Sequence, residues 1–414
     1  MSPDSGELRD NGAALVRVGA MGHHWSMPTE PTAAPPRPPL DWPTLGRIVL
    51  KALLLFTLLN AAFAAARPLE ALGRLSLYNG LLPGRARLPY GEVPANDYNL
   101  TLNNLPAMFA AHELARPKAA DEFRVLLIGD SGTWGWFLRH EATLAGQLND
   151  LGLRAADGRR VVVYNLGYPV LSLTKDLLLL DTALSDDADL ILWPVTLHSL
   201  ARGRQFDHPL LQQNADHVRD LIARYNLALD PFDSRLVVRT RLDETLVARR
   251  RDLADLLRLQ ALALAWAATG IDQAIPADIP LRQSDLDADE SWLDIAGPRP
   301  LTDDDLTFDV LRAGVARAGG VPVVVINEPI FISDGANSNV RYNSFYPRWA
   351  YDQYRERLAR AAAAEGWRYV DLWDAIPPDE FTDTPVHLTP AGARLLAEKL
   401  VKEVGTTDYA DSTN

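Results

Sequence analysis

The sequence predicts a three-layer α/β fold: a doubly wound sheet of about five parallel strands with a helical insertion, preceded by an N-terminal membrane helix. Three observations predict it. Five short apolar runs, at 124–129, 161–165, 190–194, 322–326 and 368–372, each end on a turn or polar residue. Four of them are followed by helix-compatible stretches, the alternation that gives a parallel sheet covered on both faces. About 125 residues separate the third run from the fourth, against the dozen or so that a crossover requires, so an insertion is expected there. Residues 52–66 carry no charge at all.

Taken in order, residues 1–44 mix Gly, Pro, Ser and charge without periodicity, and Pro35-Pro36-Arg37-Pro38-Pro39 excludes helix and central strand, so this part reads as a flexible tail. His23 and His24 in it have no spacing suited to catalysis or to a metal. Residues 45–66 follow. Counted from Ile48, with Lys51 snorkelling, they approach the ~20 residues of a spanning helix. The small residues Ala61-Ala62-Phe63-Ala64-Ala65-Ala66 also fit a cleaved export signal, and both readings imply export. Cations stand on both sides, Arg37, Arg47 and Lys51 before and Arg67, Arg74, Arg85 and Arg87 after, so charge gives no clear inside face.

Residues 67–122 read as a connector packed on the main domain, with turn signals at Tyr78-Asn79-Gly80 and Pro83-Gly84 and a short helix over 105–114. The main domain is expected over 123–403, with its helical insertion over about 200–310 and a second flexible tail over 404–414. Within the insertion, 216–229 and 244–269 have helical patterns. The apolar stretch 253–268 is interrupted by Arg258 and Gln260, which are costly in lipid, so it reads as a protein-packed helix that covers the cleft as a lid. Asp303-Asp304-Asp305 reads as a solvated helix N-terminus.

Composition sets outer bounds. Of 414 residues, 47% are hydrophobic and 23% charged, enough for a sizeable core, and the length alone fits two or three domains or one elaborated domain. A net charge of -13 argues against a nucleic-acid partner. The absence of cysteine excludes a disulfide framework, a thiolate zinc site, an iron–sulfur cluster and a thiol nucleophile. No metal or cofactor is expected.

In a doubly wound sheet the ligand crevice lies beyond the carboxyl ends of the strands. The first run leads directly into Gly129-Asp130-Ser131-Gly132. A serine there faces the crevice, and the following helix offers backbone N–H groups to a developing oxyanion. The alternative is that Asp130 and Ser131 only cap that helix. Near the C-terminus, His387 stands two residues before Thr389-Pro390, which suit the cap and first turn of a helix over 391–403. Histidine's ordinary pKa near 6.5 suits a base for a serine hydroxyl. Asp383 is the nearest acid to orient it, with Asp371 and Asp374 as alternatives. Asn327-Glu328-Pro329, after the fourth run, would line the crevice and bind substrate. The aromatic stretch 342–349 fits either a sugar platform or helix packing.

Gly129-Asp130-Ser131, Asn165-Leu166-Gly167 after the second run, and the helix-capped His387 together resemble the SGNH (GDSL-like) hydrolase superfamily over about 120–403, excluding the insertion. That resemblance implies a flavodoxin-like fold, Ser131 as nucleophile, His387 as base, Asp383 as its partner, and the N–H groups of Ser131 and Gly167 as oxyanion donors. The third family block, Gly-x-Asn-Asp, is absent. Leu192-Trp193-Pro194-Val195-Thr196-Leu197-His198 stands in its place, with Thr196 or His198 as the substitute donor. In the last block Asp383 lies four residues before His387 rather than three.

The apolar segment ahead of such a domain is similar to extracytoplasmic SGNH-like proteins that act with membrane-bound O-acyltransferases. The resemblance thus implies a single-pass membrane protein with its catalytic domain outside, hydrolysing or transferring acyl groups on a surface glycan or small ester. A membrane-bound O-acyltransferase is the implied partner. The missing asparagine equally fits a catalytically silent scaffold in such an assembly.

Overall fold

The computed structural model describes residues 41–81, 84–90, 104–184, 187–270 and 275–405. Residues 1–40 and 406–414 of the expected tails, with His23 and His24, and the turn signal at Pro83 lie outside the described residues; of the tails' described ends, Trp42–Thr44 and Val404 are helical rather than loose. The chain divides into two units between Leu55 and Phe56. In the first unit the described residues are Asp41 and the first part, 42–55, of helix α1 (Trp42–Ala66), whose leucines there are exposed. Among the described residues α1 is the one helix long and apolar enough to cross a membrane.

In the second unit the helices are α2 (Pro68–Leu72), α3 (Leu77–Leu81), α4 (Leu105–Ala110), α5 (Ser131–Trp134), α6 (Leu144–Asp150), α7 (Leu173–Ala183), α8 (Pro209–Gln213), α9 (Ala215–Tyr225), α10 (Arg250–Thr269), α11 (Phe308–Arg317), α12 (Arg348–Glu365) and α13 (Pro390–Val404). The strands are β1 (Glu122–Gly129), β2 (Arg160–Gly167), β3 (Leu190–Val195), β4 (Val323–Asn327) and β5 (Arg368–Asp371), one on each of the five apolar runs. They form one parallel sheet in the order β2-β1-β3-β4-β5, the flavodoxin-like order.

Because side chains alternate across a strand, the sheet feeds two cores. Leu126, Ile128, Ile191, Trp193 and Val325 pack with α7, α11 and α12 on one face. Val125, Leu127, Val163, Leu192 and Ile326 pack with α6 and α13 on the other. The register sets Gly129 opposite Gly167, so β1 and β2 end level and their loops open at the same edge.

Two local expectations change. Tyr78-Asn79-Gly80 lies inside α3 rather than in a turn. Asp303-Asp304-Asp305 stands ahead of α11, which starts at Phe308. Asp305 accepts from the Thr302 N–H at 2.8 Å and pairs with Arg299, so its carboxylate closes a turn instead of opening a helix. The 253–268 stretch is packed against protein, as Leu256 and Ala263 of α10 are buried against Leu69 and Ala107, but it lies on the 67–122 segment and not over the strand ends as a lid.

Candidate active site

At the end of β1 the chain turns sharply into α5. Asp130, in extended conformation, caps that helix through Oδ1, which accepts from Gly132 N–H at 2.8 Å and Thr133 N–H at 3.4 Å. Ser131 is the first helical residue, so its N–H has no intrahelical acceptor. Two glycines are required by crowding around this turn. A Cβ on Gly167 would stand 2.4 Å from Trp134 N, and one on Gly132 would stand 2.7 Å from the Val386 carbonyl oxygen. Gly132 thus allows the loop that carries His387 to close on the serine.

That loop is held at several points. Thr382 N–H donates to the His387 carbonyl at 2.9 Å, Phe331 N–H donates to the Pro385 carbonyl at 2.8 Å, and Thr389 caps α13 by accepting from Gly392 N–H at 3.0 Å. The imidazole is satisfied on both sides. Ser131 Oγ–H donates to His387 Nε2 at 2.8 Å, and His387 Nδ1–H donates to Asp383 Oδ1 at 2.8 Å. Asp383 therefore reaches His387 despite the four-residue spacing. Burial alone would raise the Asp383 carboxyl, but the hydrogen bond and charge of His387 together hold it below the ordinary 3.8. The alternative acid Asp371 is engaged elsewhere, accepting from Asn327 at 2.8 Å and pairing with Arg355.

Ser131 and His387 open into a cleft of about 370 Å³, whose walls include Val170, His198, Leu293 and Phe345, with Arg204 and Asp207 as its charged groups. Arg204, Asp207 and Leu293 lie in the 200–310 segment. Trp136 stacks on His387 with 5.9 Å between ring centres and 18° between planes. Val170 has φ 73°, a left-handed conformation that is a true outlier for a β-branched residue and costs about 1–3 kcal/mol.

Four expected contacts fall elsewhere. The Gly167 N–H donates to Asn165 Oδ1 at 3.0 Å, because that side chain folds back over its own turn. Thr196 is buried, and its hydroxyl donates to Tyr346 Oη at 3.1 Å while Ser199 Oγ takes its N–H. Asn327 is buried between helix and strand, with Nδ2 donating to Asp371 and Oδ1 accepting from Tyr354 Oη at 3.0 Å. Glu328 lies beneath the serine turn rather than in the cleft. Burial, with the charges of Asp130 and Asp176 and a hydrogen bond to Asp130, raises its carboxyl well above 4.5. Of the aromatic stretch only Phe345 lines the cleft, while Tyr342 and Tyr346 are core residues.

In the place left by Thr196 stands His198. Its Nε2 is buried with no hydrogen-bond partner among the described residues, and burial together with Arg204 and Arg341 lowers its pKa to about 3, so the ring is neutral. Two supporting cations had no sequence signal. Arg87 donates to the carbonyls of Gly135 at 3.0 Å and Leu138 at 3.1 Å, bracing the turn after the serine. Lys175, fully buried, donates to the carbonyls of Gly129 at 2.8 Å and of Tyr168, joining the ends of β1 and β2 from behind. Among the described residues no His, Asp or Glu cluster could hold a metal ion.

No family model and no curated protein matches the chain. Solved structures to which it is similar include an aryl esterase from M. smegmatis, 14% identical over 68% of this chain and 97% of that one, with a TM-score of 0.30. Others are a carbohydrate acetylesterase from Sinorhizobium meliloti, 13% identical over 68% and 97% with a TM-score of 0.31, and an acetylxylan esterase from Geobacillus stearothermophilus, 13% identical over 70% and 96% with a TM-score of 0.32.

Proposed function

We propose that this protein is a serine-dependent acyl-ester hydrolase or O-acyltransferase. The observation that carries the reading is the unbroken hydrogen-bond chain from Asp383 through His387 to Ser131, open to a cleft at the sheet's carboxyl edge. In it Ser131 Oγ attacks the ester carbonyl carbon as its proton passes to His387 Nε2, and Asp383 holds the tautomer and balances the imidazolium charge. The oxyanion takes the free Ser131 N–H and an N–H of neutral His198. Collapse breaks the ester C–O bond, His387 returns the proton to the leaving alcohol, and the acyl group stays on Ser131. Water or a second hydroxyl then removes it by the same steps in reverse.

The substrate we assign is an acylated glycan outside the cytoplasm. Phe345 offers an aromatic ring to a sugar, Arg204 and Asp207 offer partners for its hydroxyls, and α1 has the length and apolarity to tether the domain to a membrane. A membrane-bound O-acyltransferase as acyl supplier belongs to the same reading. The test is a fluorophosphonate probe followed by peptide mapping, together with turnover of acetylated oligosaccharides. Ser131 should be labelled and acetate released. An unlabelled Ser131 in folded protein overturns the reading.

A further inference from the structure

The described residues expose eleven large apolar side chains outside α1, and nine of them lie within 72–81 and 232–257. Parts of both stretches pack around the last turns of α1. Phe63 packs into one cluster with Leu69 of α2 and Leu253 and Leu256 of α10. Val247 N–H donates to Asn60 Oδ1 at 3.1 Å, and Gln260 of α10 bridges the Leu75 carbonyl at 3.1 Å and the Leu77 N–H at 2.7 Å. From this frame Leu75, Leu77, Leu81, Leu242 and Leu257 point outward at 62–77% exposure. An open cavity of about 1000 Å³ runs beside Phe56, Ala61 and Ala64 of α1, and its other wall mixes Leu242 and Val247 with Arg239, Arg241 and Glu244.

Charge follows the same distribution. In a chain of net charge -13, the stretches 67–81 and 239–258 hold eight arginines against five carboxylates; Arg67, Arg249 and Arg258 pair with Glu70, with Glu244 and Asp252, and with Asp255, so the net excess is three positive charges. An apolar surface of this extent, ringed by arginine and continuous with a membrane-length helix, matches the headgroup boundary of an anionic bilayer: leucines enter the acyl region and arginines meet phosphate.

We propose that segments 68–81 and 239–258 form a lipid-facing collar that seats the α/β domain directly on an anionic phospholipid bilayer where α1 emerges from it. The proposal rests on the reading of α1 as a membrane helix. It makes the domain surface-bound rather than freely tethered.

The chain has no cysteine, so single labels can be placed without background. Leu77→Cys, Leu242→Cys and Leu257→Cys, each carrying bimane, are compared in full-length protein reconstituted into phosphatidylcholine–phosphatidylglycerol vesicles, with Leu58→Cys in α1 and Glu356→Cys on α12 as references. Nitroxide attached high on the lipid acyl chain should quench the three collar labels at least about twofold more than the Glu356→Cys label, and iodide should quench them less. Omitting phosphatidylglycerol should weaken the lipid quenching. If the Leu58→Cys label is lipid-quenched while the collar labels stay open to iodide, the collar is wrong and the anchor stands. If the Leu58→Cys label itself is open to iodide, the anchor reading fails and the collar falls with it. Collar labels shielded from both quenchers, in proportion to protein density, would show a second copy covering this face and overturn the lipid assignment.

Discussion

The carboxyl ends of β1 and β4 carry similar signals, a short polar pair just past a buried apolar strand, yet they are used in opposite ways. After β1, Asp130 turns inward to cap α5, which leaves Ser131 at the cleft. After β4, Asn327 is clamped between Asp371 and Tyr354, and Glu328 is pressed under Asp130. The difference lies in what each strand enters. The β1 end meets a helix start, whose free N–H groups demand a side-chain acceptor and rotate the next residue outward. The β4 end is followed by no helix, so its polar atoms are satisfied inside. A strand's carboxyl end marks where a site can be; the following element decides whether the side chain faces substrate or core.

The largest expected effect sharpens the β1 side. Ser131→Ala and His387→Ala should each lower acetyl-ester turnover by roughly 10⁴-fold or more with unchanged circular dichroism, and the double variant should be no worse than either alone, since such residues fail as a unit. Additive losses would dissolve the pairing. Next, Asp383→Asn should reduce kcat by up to ~10⁴ with little change in KM. The Asp383 carboxyl is held low in the folded state. Its contribution to stability is therefore present above 3.8, is lost as pH falls through the folded value, and should vanish from the acid unfolding curve of the Asn variant.

At the β4 end the expected readout is stability. Asn327→Leu should cost about 1–3 kcal/mol in denaturant unfolding, because Asp371 and Tyr354 lose a buried partner, while KM for an acetylated oligosaccharide stays as in the parent. A raised KM with unchanged stability would return Asn327 to the substrate. The smallest effect is at Glu328. Its folded carboxyl is raised, so its share of stability is full below 4.5 and declines as pH climbs through the folded value. Glu328→Gln keeps the hydrogen bond to Asp130 without the titration. The melting temperature of the variant relative to the parent should therefore rise as pH is raised above 4.5. A pH-independent difference would mean that Glu328 is ionised and solvated.

Much of this was legible from local pattern. Four of the apolar runs became strands because burial on both faces of a parallel sheet leaves no other use for such residues, the fifth became the half-exposed edge strand β5, and Thr389-Pro390 marked the start of α13 because cap and first-turn chemistry are local. The unbroken apolar stretch likewise became α1, although the helix begins at Trp42, inside the segment expected to be a flexible tail rather than at residue 45.

Contacts that depend on chain segments far apart were decided only by tertiary structure. The Ser131–His387 contact spans 256 positions and needs the missing side chain of Gly132 for the loops to meet. Whether Thr196 or His198 faces the cleft depends on Tyr346, 150 positions away from Thr196, capturing the threonine hydroxyl. The fate of Asn327 depends on α12 supplying Tyr354. Local periodicity places a residue on an element and on one of its faces. The direction of a polar side chain at the element's end is set by which distant donors and acceptors arrive there, since a buried polar group must be satisfied by whatever the fold brings to it.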